Sequence, residues 1–238
     1  MSLPAALVIV PTYNERANLP TLAEGLMRQE NVRLLVVDDQ SPDGTGDVAD
    51  ELARTYRGRV KVMHRTGQRG LGRSYRDGFR VAIQERADVV CQMDADLSHD
   101  PAHLPDLIAR SRDADLVIGS RYVTDGAIVN WPLRRLILSR FANLYVRTVT
   151  RLTVRDCTSG YRCWRMAALS SLPMDHVFSD GYSFLIETLY MAARRGARVA
   201  EVPITFVERR QGESKLSGAV VLESVLTPWR IIGHDRRG

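Results

Sequence analysis

The first half of the chain repeats one unit: a short apolar run that stops abruptly at polar residues, then a segment with apolar side chains at helical spacing. The runs predicted as strands are 6–10, 32–38, 60–63, 88–93 and 115–119. Strands that alternate with helices in this way predict an α/β fold with a largely parallel sheet.

Polar and charged side chains cluster where these predicted strands end. In open parallel sheets the ligand site lies beyond the carboxyl ends of the strands. A core strand needs no carboxylate at its end, so the repetition predicts a crevice for a polar, phosphorylated ligand. The residues in question are Glu15, Asp38, Asp39, Asp94, Asp96 and Arg121.

The chain has 238 residues, which suits one domain, and an apolar share of 45% excludes a disordered protein. The longest apolar runs fall far short of the roughly 20 residues that a membrane-spanning helix needs. The apolar stretch near the amino terminus runs directly into Pro11, which indicates a buried strand instead of a secretory signal. We therefore expect a cytoplasmic protein. Three cysteines without paired spacing indicate neither a zinc site nor a disulfide framework.

The formal net charge is +5, and only Lys61 and Lys215 are lysines. Arginine suits phosphate recognition, because its planar fork donates paired hydrogen bonds and stays charged. A basic net charge is also compatible with a nucleic-acid partner, but the sequence has no basic stripe interleaved with aromatic residues to support one. We expect no nucleic-acid partner.

The second half is predicted to contain two amphipathic helices, over 132–152 and 219–232. The first carries an apolar stripe that includes Ile137, Phe141 and Leu144, flanked by Arg140, Arg147 and Arg151. Arginines beside an apolar face are typical of a helix lying on anionic lipid. A helix packed on the domain, with its arginines in water, has the same pattern, and the sequence leaves both interpretations open.

The strongest local signal is Asp94-Ala95-Asp96, which follows a predicted strand. Two carboxylates separated by one small residue can bind a hard divalent cation together and leave positions for phosphate oxygens. Such a cation stabilises charge on a departing diphosphate. Ser98 and His99 lie within reach as further polar groups.

Two glycine-containing segments resemble nucleotide loops but fail the tests for them. The Gly70–Gly72 segment does not follow the first strand and lacks a third glycine, so a NAD site is not indicated. Residues 41–46 lack the Gly-Lys-Ser/Thr ending of a P-loop.

Seven short blocks occur in an order that resembles the dolichol-phosphate (polyprenyl-phosphate) mannose synthases among the family 2 glycosyltransferases. The resemblance runs from about Val8 to Leu216. The blocks are Pro11-Thr12-Tyr13-Asn14-Glu15, Val37-Asp38-Asp39-Gln40-Ser41-Pro42-Asp43-Gly44-Thr45, Gly70-Leu71-Gly72, Asp94-Ala95-Asp96-Leu97-Ser98-His99, Gly119-Ser120-Arg121-Tyr122, Thr158-Ser159-Gly160-Tyr161-Arg162 and Gly212-Glu213-Ser214-Lys215.

The resemblance implies an A-type glycosyltransferase fold in one domain over 1–238, with a nucleotide-sugar half at 1–122 and an acceptor and membrane-interface half at 123–238. It implies that mannose moves from GDP-mannose to a polyprenyl phosphate with inversion. Catalysis would rest on Asp94, Asp96 and Arg121, and Asp94 and Asp96 would bind Mg²⁺ or Mn²⁺. Many relatives have glutamine at the position of Ser98, and serine is a poorer oxygen ligand for the metal.

The resemblance also assigns the two substrates. The nucleotide sugar would contact Pro11, Tyr13, Glu15, Val37, Asp39, Asp94, Ala95, Asp96, Arg121, Arg209 and Lys215. The acceptor phosphate would contact Arg121, Arg135 and Ser139. The protein would work peripherally on the cytosolic face of a membrane, with or without a separate membrane-protein partner. The alternative is a sister enzyme that takes glucose or another sugar from UDP.

Overall fold

The computed structural model describes residues 3–208 and 218–235. The strands are β1 Ala6–Thr12, β2 Val32–Asp38, β3 Val60–His64, β4 Val89–Gln92, β5 Leu116–Ser120, β6 Ala127–Val129, β7 Arg162–Arg165, β8 Val199–Pro203 and β9 Thr205–Val207. The α-helices are α1 Leu19–Met27, α2 Thr45–Thr55, α3 Leu71–Gln84, α4 Leu104–Arg110, α5 Leu133–Thr150, α6 Met166–Ser170, α7 Gly181–Arg194 and α8 Gly218–Asp235.

Seven strands form one sheet in the order β3-β2-β1-β4-β7-β5-β8. All neighbours are parallel except β7, which is antiparallel to both β4 and β5. A second, two-stranded sheet pairs β6 with β9 in parallel. The prediction of an α/β fold with a largely parallel sheet is confirmed, and the five predicted strands match β1 to β5.

The strand β7 was not predicted, because its sequence, Arg-Cys-Trp-Arg, carries charge. The Arg162 side chain is nevertheless fully buried and donates to the main-chain carbonyls of Ser159, Leu185 and Cys157 at 2.8, 2.7 and 3.0 Å. Burial lowers the pKa of Arg162 to about 10. Carbonyl acceptors thus satisfy a buried guanidinium in the middle of the sheet.

Hydrophobic clusters cover both faces of the large sheet. One cluster packs α3 and α7 against β1 and β2 through residues such as Phe79 and Phe184. The other packs α1 and α4 against the opposite face through Leu22 and Leu107. A largely parallel sheet is buried on both faces in this way, which explains the continuous apolar runs of its strands.

The Gly70–Gly72 segment begins α3 and closes against Asp180, at the start of α7. The carboxylate of Asp180 accepts from the main-chain N–H of Gly72 at 2.7 Å and of Gly181 at 2.8 Å. Gly70 has φ +153°, and a Cβ built there would lie 1.9 Å from Oδ2 of Asp180. Packing between α3 and α7 therefore explains both glycines, because a Cβ at Gly72 would also lie 3.0 Å from Asp180 and from Phe184.

The helix α5 exposes the apolar stripe that the sequence predicted. Leu133, Ile137, Phe141 and Leu144 are exposed, with Phe141 at 63%. Beside it, α8 exposes Trp229, whose indole N–H donates to the Tyr145 hydroxyl on α5 at 2.9 Å. The stripe faces outward, whereas another side of α5 packs on the domain through Asn143, Val146 and Thr150, and contact of the stripe with lipid stays a prediction. Across the described residues, none of the helices combines the length and the apolar character that a membrane span requires.

Candidate active site

The loops after β1 and β2 form one end of the site, around Asp39. The Asp39 carboxylate is buried, forms an ion pair with Arg65 and accepts from the main-chain N–H of Gly70 at 2.8 Å. Arg65 also binds Asp77 at 2.8 Å. Burial alone would lower the pKa of Arg65, but hydrogen bonding to Asp77 and the charge of Asp39 raise it. Asp39 is thus held in one orientation as a hydrogen-bond acceptor.

Tyr13 and Glu15 lie beside this loop. The guanidinium of Arg69 lies 4.7 Å from the centroid of the Tyr13 ring and donates to its hydroxyl at 2.9 Å. The main-chain N–H of Glu15 donates to the Thr45 hydroxyl at 3.0 Å, and its carboxylate accepts from Asn18 at 2.8 Å. An aromatic ring and a carboxylate next to Asp39 suit a flat, hydrogen-bonding base.

Three of the residues predicted to contact the nucleotide sugar have side chains that are wholly or partly buried. Pro11 is half-buried at the end of β1. The side chains of Val37 and Ala95 lie in the two hydrophobic clusters. Only the main chains of Val37 and Ala95 are therefore able to meet a ligand.

The Asp94–Asp96 segment follows β4, as the sequence predicted, and the structure places β4 beside β1 in the sheet. Leu97 adopts φ +61°, and this turn lets the main-chain N–H and the hydroxyl of Ser98 donate to Oδ1 of Asp96 at 3.1 and 2.5 Å. Asp96 is buried, whereas the Asp94 side chain is 34% exposed. Ser98 therefore orients Asp96 from behind.

His99 supports the other carboxylate of the pair. Its Nδ1 accepts from the main-chain N–H of Asp94 at 3.2 Å. Burial lowers the pKa of His99, although the charges of Asp94 and Asp96 oppose this. The geometry and the pKa both indicate a neutral imidazole that fixes the turn.

The donor set fits a divalent cation together with substrate oxygens. A Cβ at Gly160 would lie 3.4 Å from both carboxylate oxygens of Asp94, so the glycine keeps that space open. Among residues 3–208 and 218–235, no three His, Cys, Asp or Glu side chains form a complete metal site. Asp94 and Asp96 supply hard oxygen ligands, and phosphate oxygens would complete the shell.

Arg121 follows β5 and forms a buried ion pair that the sequence did not reveal. Its Nε and Nη2 donate to the two oxygens of Asp156, both at 2.7 Å, and Nη2 donates to Thr158 at 2.8 Å. Burial alone would lower the pKa of Arg121 and raise that of Asp156. Their mutual attraction outweighs burial in both, so the pKa of Arg121 is raised and that of Asp156 is lowered.

The predicted acceptor residues meet in a cluster of arginines and aromatic rings. The guanidinium of Arg135 lies 4.0 Å from the centroid of Trp131 and forms an ion pair with Glu208 at 2.6 Å. Arg121 lies 5.8 Å from the same ring. The Tyr122 hydroxyl donates to Ser139 at 2.7 Å, within the same cluster. The structure therefore brings Arg121, Arg135 and Ser139 together.

Phe206 connects this cluster to the carboxylate pair. Its ring centroid lies 5.3 Å from the guanidinium of Arg121 and 5.5 Å from the His99 ring. His99 in turn binds the main chain of Asp94. The carboxylates and the arginines thus occupy neighbouring parts of one edge of the sheet.

Two predicted residues, Arg209 and Lys215, lie outside the described residues. Those that the sequence reasoning missed are Arg65, Asp156, Trp131, Phe206 and Glu208. Only Asp156 carried a usable signal, because it lies two residues before the Thr158–Arg162 block.

Comparison with known proteins gives consistent matches. The model of Glycosyl transferase family 2 matches residues 7–173. A polyprenol monophosphomannose synthase from Mycolicibacterium smegmatis is 47% identical, over 96% of this chain and 88% of that protein. An undecaprenyl-phosphate mannosyltransferase from Micrococcus luteus is also 47% identical, over 94% of this chain and 92% of that protein.

A solved structure shares the fold at low sequence identity. It is the glucosyl-3-phosphoglycerate synthase from Mycobacterium tuberculosis, in complex with Mn²⁺, UDP-glucose and phosphoglyceric acid. The TM-score is 0.70 at 19% identity, over 97% of this chain and 80% of that chain. The central sheet, its strand order and these matches agree with the predicted A-type glycosyltransferase fold, and the chain belongs to glycosyltransferase family 2.

Proposed function

We propose that the protein transfers mannose from GDP-mannose to a polyprenyl phosphate with inversion, giving polyprenyl-phosphate β-mannose. The observation that carries the proposal is the placement of the Asp94–Asp96 pair beside the Arg121–Arg135 cluster at one edge of the sheet. The exposed apolar stripe of α5 begins next to that cluster. Mannose transfer to polyprenyl phosphates is what the names of the two 47%-identical relatives describe.

The nucleotide sugar would lie across the carboxyl ends of β1, β2 and β4. Asp39 would accept hydrogen bonds from the ring N–H groups of a base, and Tyr13 and Glu15 would border the base. Both guanine and uracil offer such a group, so Asp39 alone does not select between them. The alternative donor, UDP-glucose, is the one in the similar solved structure.

Asp94 and Asp96 would hold Mg²⁺ or Mn²⁺ against the diphosphate. The cation, when bound, stabilises negative charge on the departing diphosphate. Ser98 keeps Asp96 oriented, and neutral His99 keeps the turn at Asp94 in place.

The acceptor brings its own nucleophile. A phosphate monoester is mostly a dianion near neutral pH, since its second pKa is about 6, so it needs no strong general base. The protein must instead hold two anions in line across the anomeric carbon. Arg121, Arg135 and Ser139 would orient the acceptor phosphate, and a single in-line displacement turns an α-linked donor into a β-linked product.

The protein would act at the cytoplasmic face of a membrane, where its lipid acceptor lies. The exposed stripe on α5 and Trp229 on α8 would rest on the lipid, with or without a separate membrane protein. Burying such side chains in the acyl region stabilises binding by the hydrophobic effect.

The donor is tested by thermal unfolding with GDP-mannose, UDP-glucose or GDP, each with manganese, followed by transfer to polyprenyl phosphate in detergent. We expect GDP-mannose to stabilise the protein and to be the better donor. NMR of the product should show a β linkage. Faster transfer from UDP-glucose would support the alternative enzyme and contradict the proposal.

The acceptor assignment is tested by Arg135→Ala, with Arg134→Ala as the matched control, because Arg134 is an exposed neighbour on the same helix. Loss of one charged hydrogen bond should raise the KM for polyprenyl phosphate about tenfold or more and leave GDP-mannose affinity nearly unchanged. Lys215→Ala should instead weaken donor binding or the donor-bound rate. Calorimetric titration measures the affinity of each variant for GDP-mannose. An equal loss of that affinity in Arg135→Ala and Lys215→Ala would contradict the assignment of Arg135 to the acceptor and Lys215 to the donor.

A further inference from the structure

A cavity of about 300 Å³ lies between α5 and the segment that follows β5, outside the residues assigned to the two substrates except for Arg121. Arg140, Arg147 and Arg155 line it, together with Asn143 and Leu144. Three further arginines around one small cavity concentrate positive charge there, which favours an anion.

Within the part of the chain that the structure describes, no carboxylate forms an ion pair with Arg140, Arg147 or Arg155. The nearby acids are already used. Asp156 binds Arg121, and Glu201 accepts from the main-chain N–H groups of Arg155 and Asp156 at 2.8 and 3.0 Å. The positive charge of the cavity is therefore not neutralised by these neighbours.

Arg147 is the least exposed of the three arginines. Its Nε is buried and makes no hydrogen bond to any described residue. A buried donor without an acceptor is costly, so most such groups in native proteins have a partner. Arg147 also lines the cavity, so a phosphate there would form a charge-assisted pair with its guanidinium.

The exposed stripe on α5 indicates the source of the phosphate. Leu144 both lines the cavity and belongs to the stripe, and its side chain is exposed, as is that of Phe141 one helical turn away. A ligand that fills both places carries a phosphate and an adjoining acyl chain. We propose that Arg140, Arg147 and Arg155 form a site for the headgroup phosphate of an anionic membrane phospholipid, separate from the acceptor phosphate.

The proposal rests on the proposed function only for the membrane location of α5. The test is co-sedimentation with vesicles of phosphatidylglycerol in phosphatidylcholine, without donor or acceptor, so a failure of mannose transfer cannot be mistaken for a failure of this site. The variant is Arg147→Lys, which keeps the charge but loses the planar fork and the Nε donor. Arg151→Lys is the matched control, an exposed arginine at the end of the same helix that does not line the cavity.

We expect Arg147→Lys to weaken vesicle binding about tenfold, the effect of one lost charge-assisted hydrogen bond, and Arg151→Lys to leave it within about twofold of the wild type. Equal binding by Arg147→Lys and the wild type would overturn the site, because only non-specific charge attraction would then remain.

Thermal unfolding with inorganic phosphate, without vesicles, distinguishes the source of the anion. Phosphate stabilises folded proteins generally, through its exclusion from their surface, so we expect the wild type and Arg147→Lys to be stabilised equally. Stabilisation by inorganic phosphate that Arg147→Lys abolishes would assign the cavity to free phosphate and overturn the lipid assignment.

Discussion

Arg121 and Asp156 form a charge pair that is almost completely removed from water. The Asp156 side chain is 0% exposed, and the Arg121 side chain is 8% exposed. Replacing one member of such a pair leaves the other as an uncompensated buried charge. The pair therefore fixes the position of Arg121 in the site and contributes to the free energy of unfolding.

We predict that Asp156→Asn lowers the free energy of unfolding by about 3–5 kcal/mol, the usual cost of breaking a buried pair. Urea denaturation of the single variant, of Arg121→Gln and of the double variant gives the coupling energy. Additive effects of the two substitutions would contradict the pair as the source of the loss.

The same pair predicts a dependence of stability on pH. The pKa of Asp156 is lowered in the folded protein, so its contribution is complete above the unfolded value of about 3.9 and is lost as the pH falls through the folded pKa. The difference in unfolding free energy between the wild type and Asp156→Asn should be constant from about pH 5 to 8 and shrink below about pH 4. A difference that shrinks between about pH 5 and 8 would contradict this assignment.

Asp96 gives a prediction about the cation. Asp96→Asn retains an acceptor for Ser98 but removes the negative charge, so transfer should fall at least about a hundredfold while the melting temperature changes little. Asp113→Asn, at an exposed turn before β5, is the control and should transfer normally. Excess EDTA should cause the same loss of transfer in the wild type. Undiminished turnover in EDTA would contradict the dependence of transfer on a divalent cation.

The site residues that were predicted from the sequence share a local signal, namely their position at the end of a strand. The site residues that were missed have no such signal. Asp39, Asp94, Asp96 and Arg121 could be predicted because each follows a strand of a parallel sheet. Asp156 is 35 positions from its partner Arg121. No helical or strand periodicity relates residues that far apart, so the pair could not be predicted from the sequence.

At the scale of secondary-structure elements, the junction of α3 and α7 depends on the absence of a side chain at Gly70. The carboxylate of Asp180 lies where the Cβ of any other residue would be, and it binds the first turn of α3. The junction therefore requires glycine for space and for its φ of +153°.

We predict that Gly70→Ala destabilises the protein by about 1–3 kcal/mol, through clash and backbone strain. Gly67→Ala is the matched control, because a Cβ at Gly67 meets no atom within 4 Å, and it should change stability much less. Thermal and urea unfolding measure both. Equal effects of the two substitutions would show that loss of glycine freedom in the loop, and not contact with Asp180, matters.

Periodicity predicted the long elements well and the short ones poorly. The helix α5 was predicted over 132–152 and is found at Leu133–Thr150. The strands β6, β7 and β9 have three, four and three residues, too few for an alternating pattern to be distinguished from a loop. Their existence depends on pairing with distant strands.

At the scale of the whole molecule, the exposed side chains of α5 and α8 gather on one side, and we predict that they dock the protein on a membrane. Phe141→Ala should weaken binding to anionic vesicles about tenfold, because an exposed phenyl ring that enters lipid contributes about 1.5–3 kcal/mol. Ile83→Ala, which removes another exposed apolar side chain on α3, is the control and should bind normally. Co-sedimentation measures both.

Salt should weaken the binding, since screening reduces the attraction of the arginines to lipid headgroups. Equal partition into neutral and anionic vesicles at every salt concentration would contradict docking through this face.

The antiparallel strand β7 has a consequence for how the molecule is made. It lies between β4 and β5 in the sheet, yet it follows both in the chain, and β5 ends at residue 120, about 40 positions before β7 begins. At synthesis rates of about 5–20 residues per second, a growing chain waits some seconds with the facing edges of β4 and β5 unpaired. Unpaired edges recruit strands from other molecules. A chain that ends between these two points would thus be prone to aggregation, although it already contains β1 to β5.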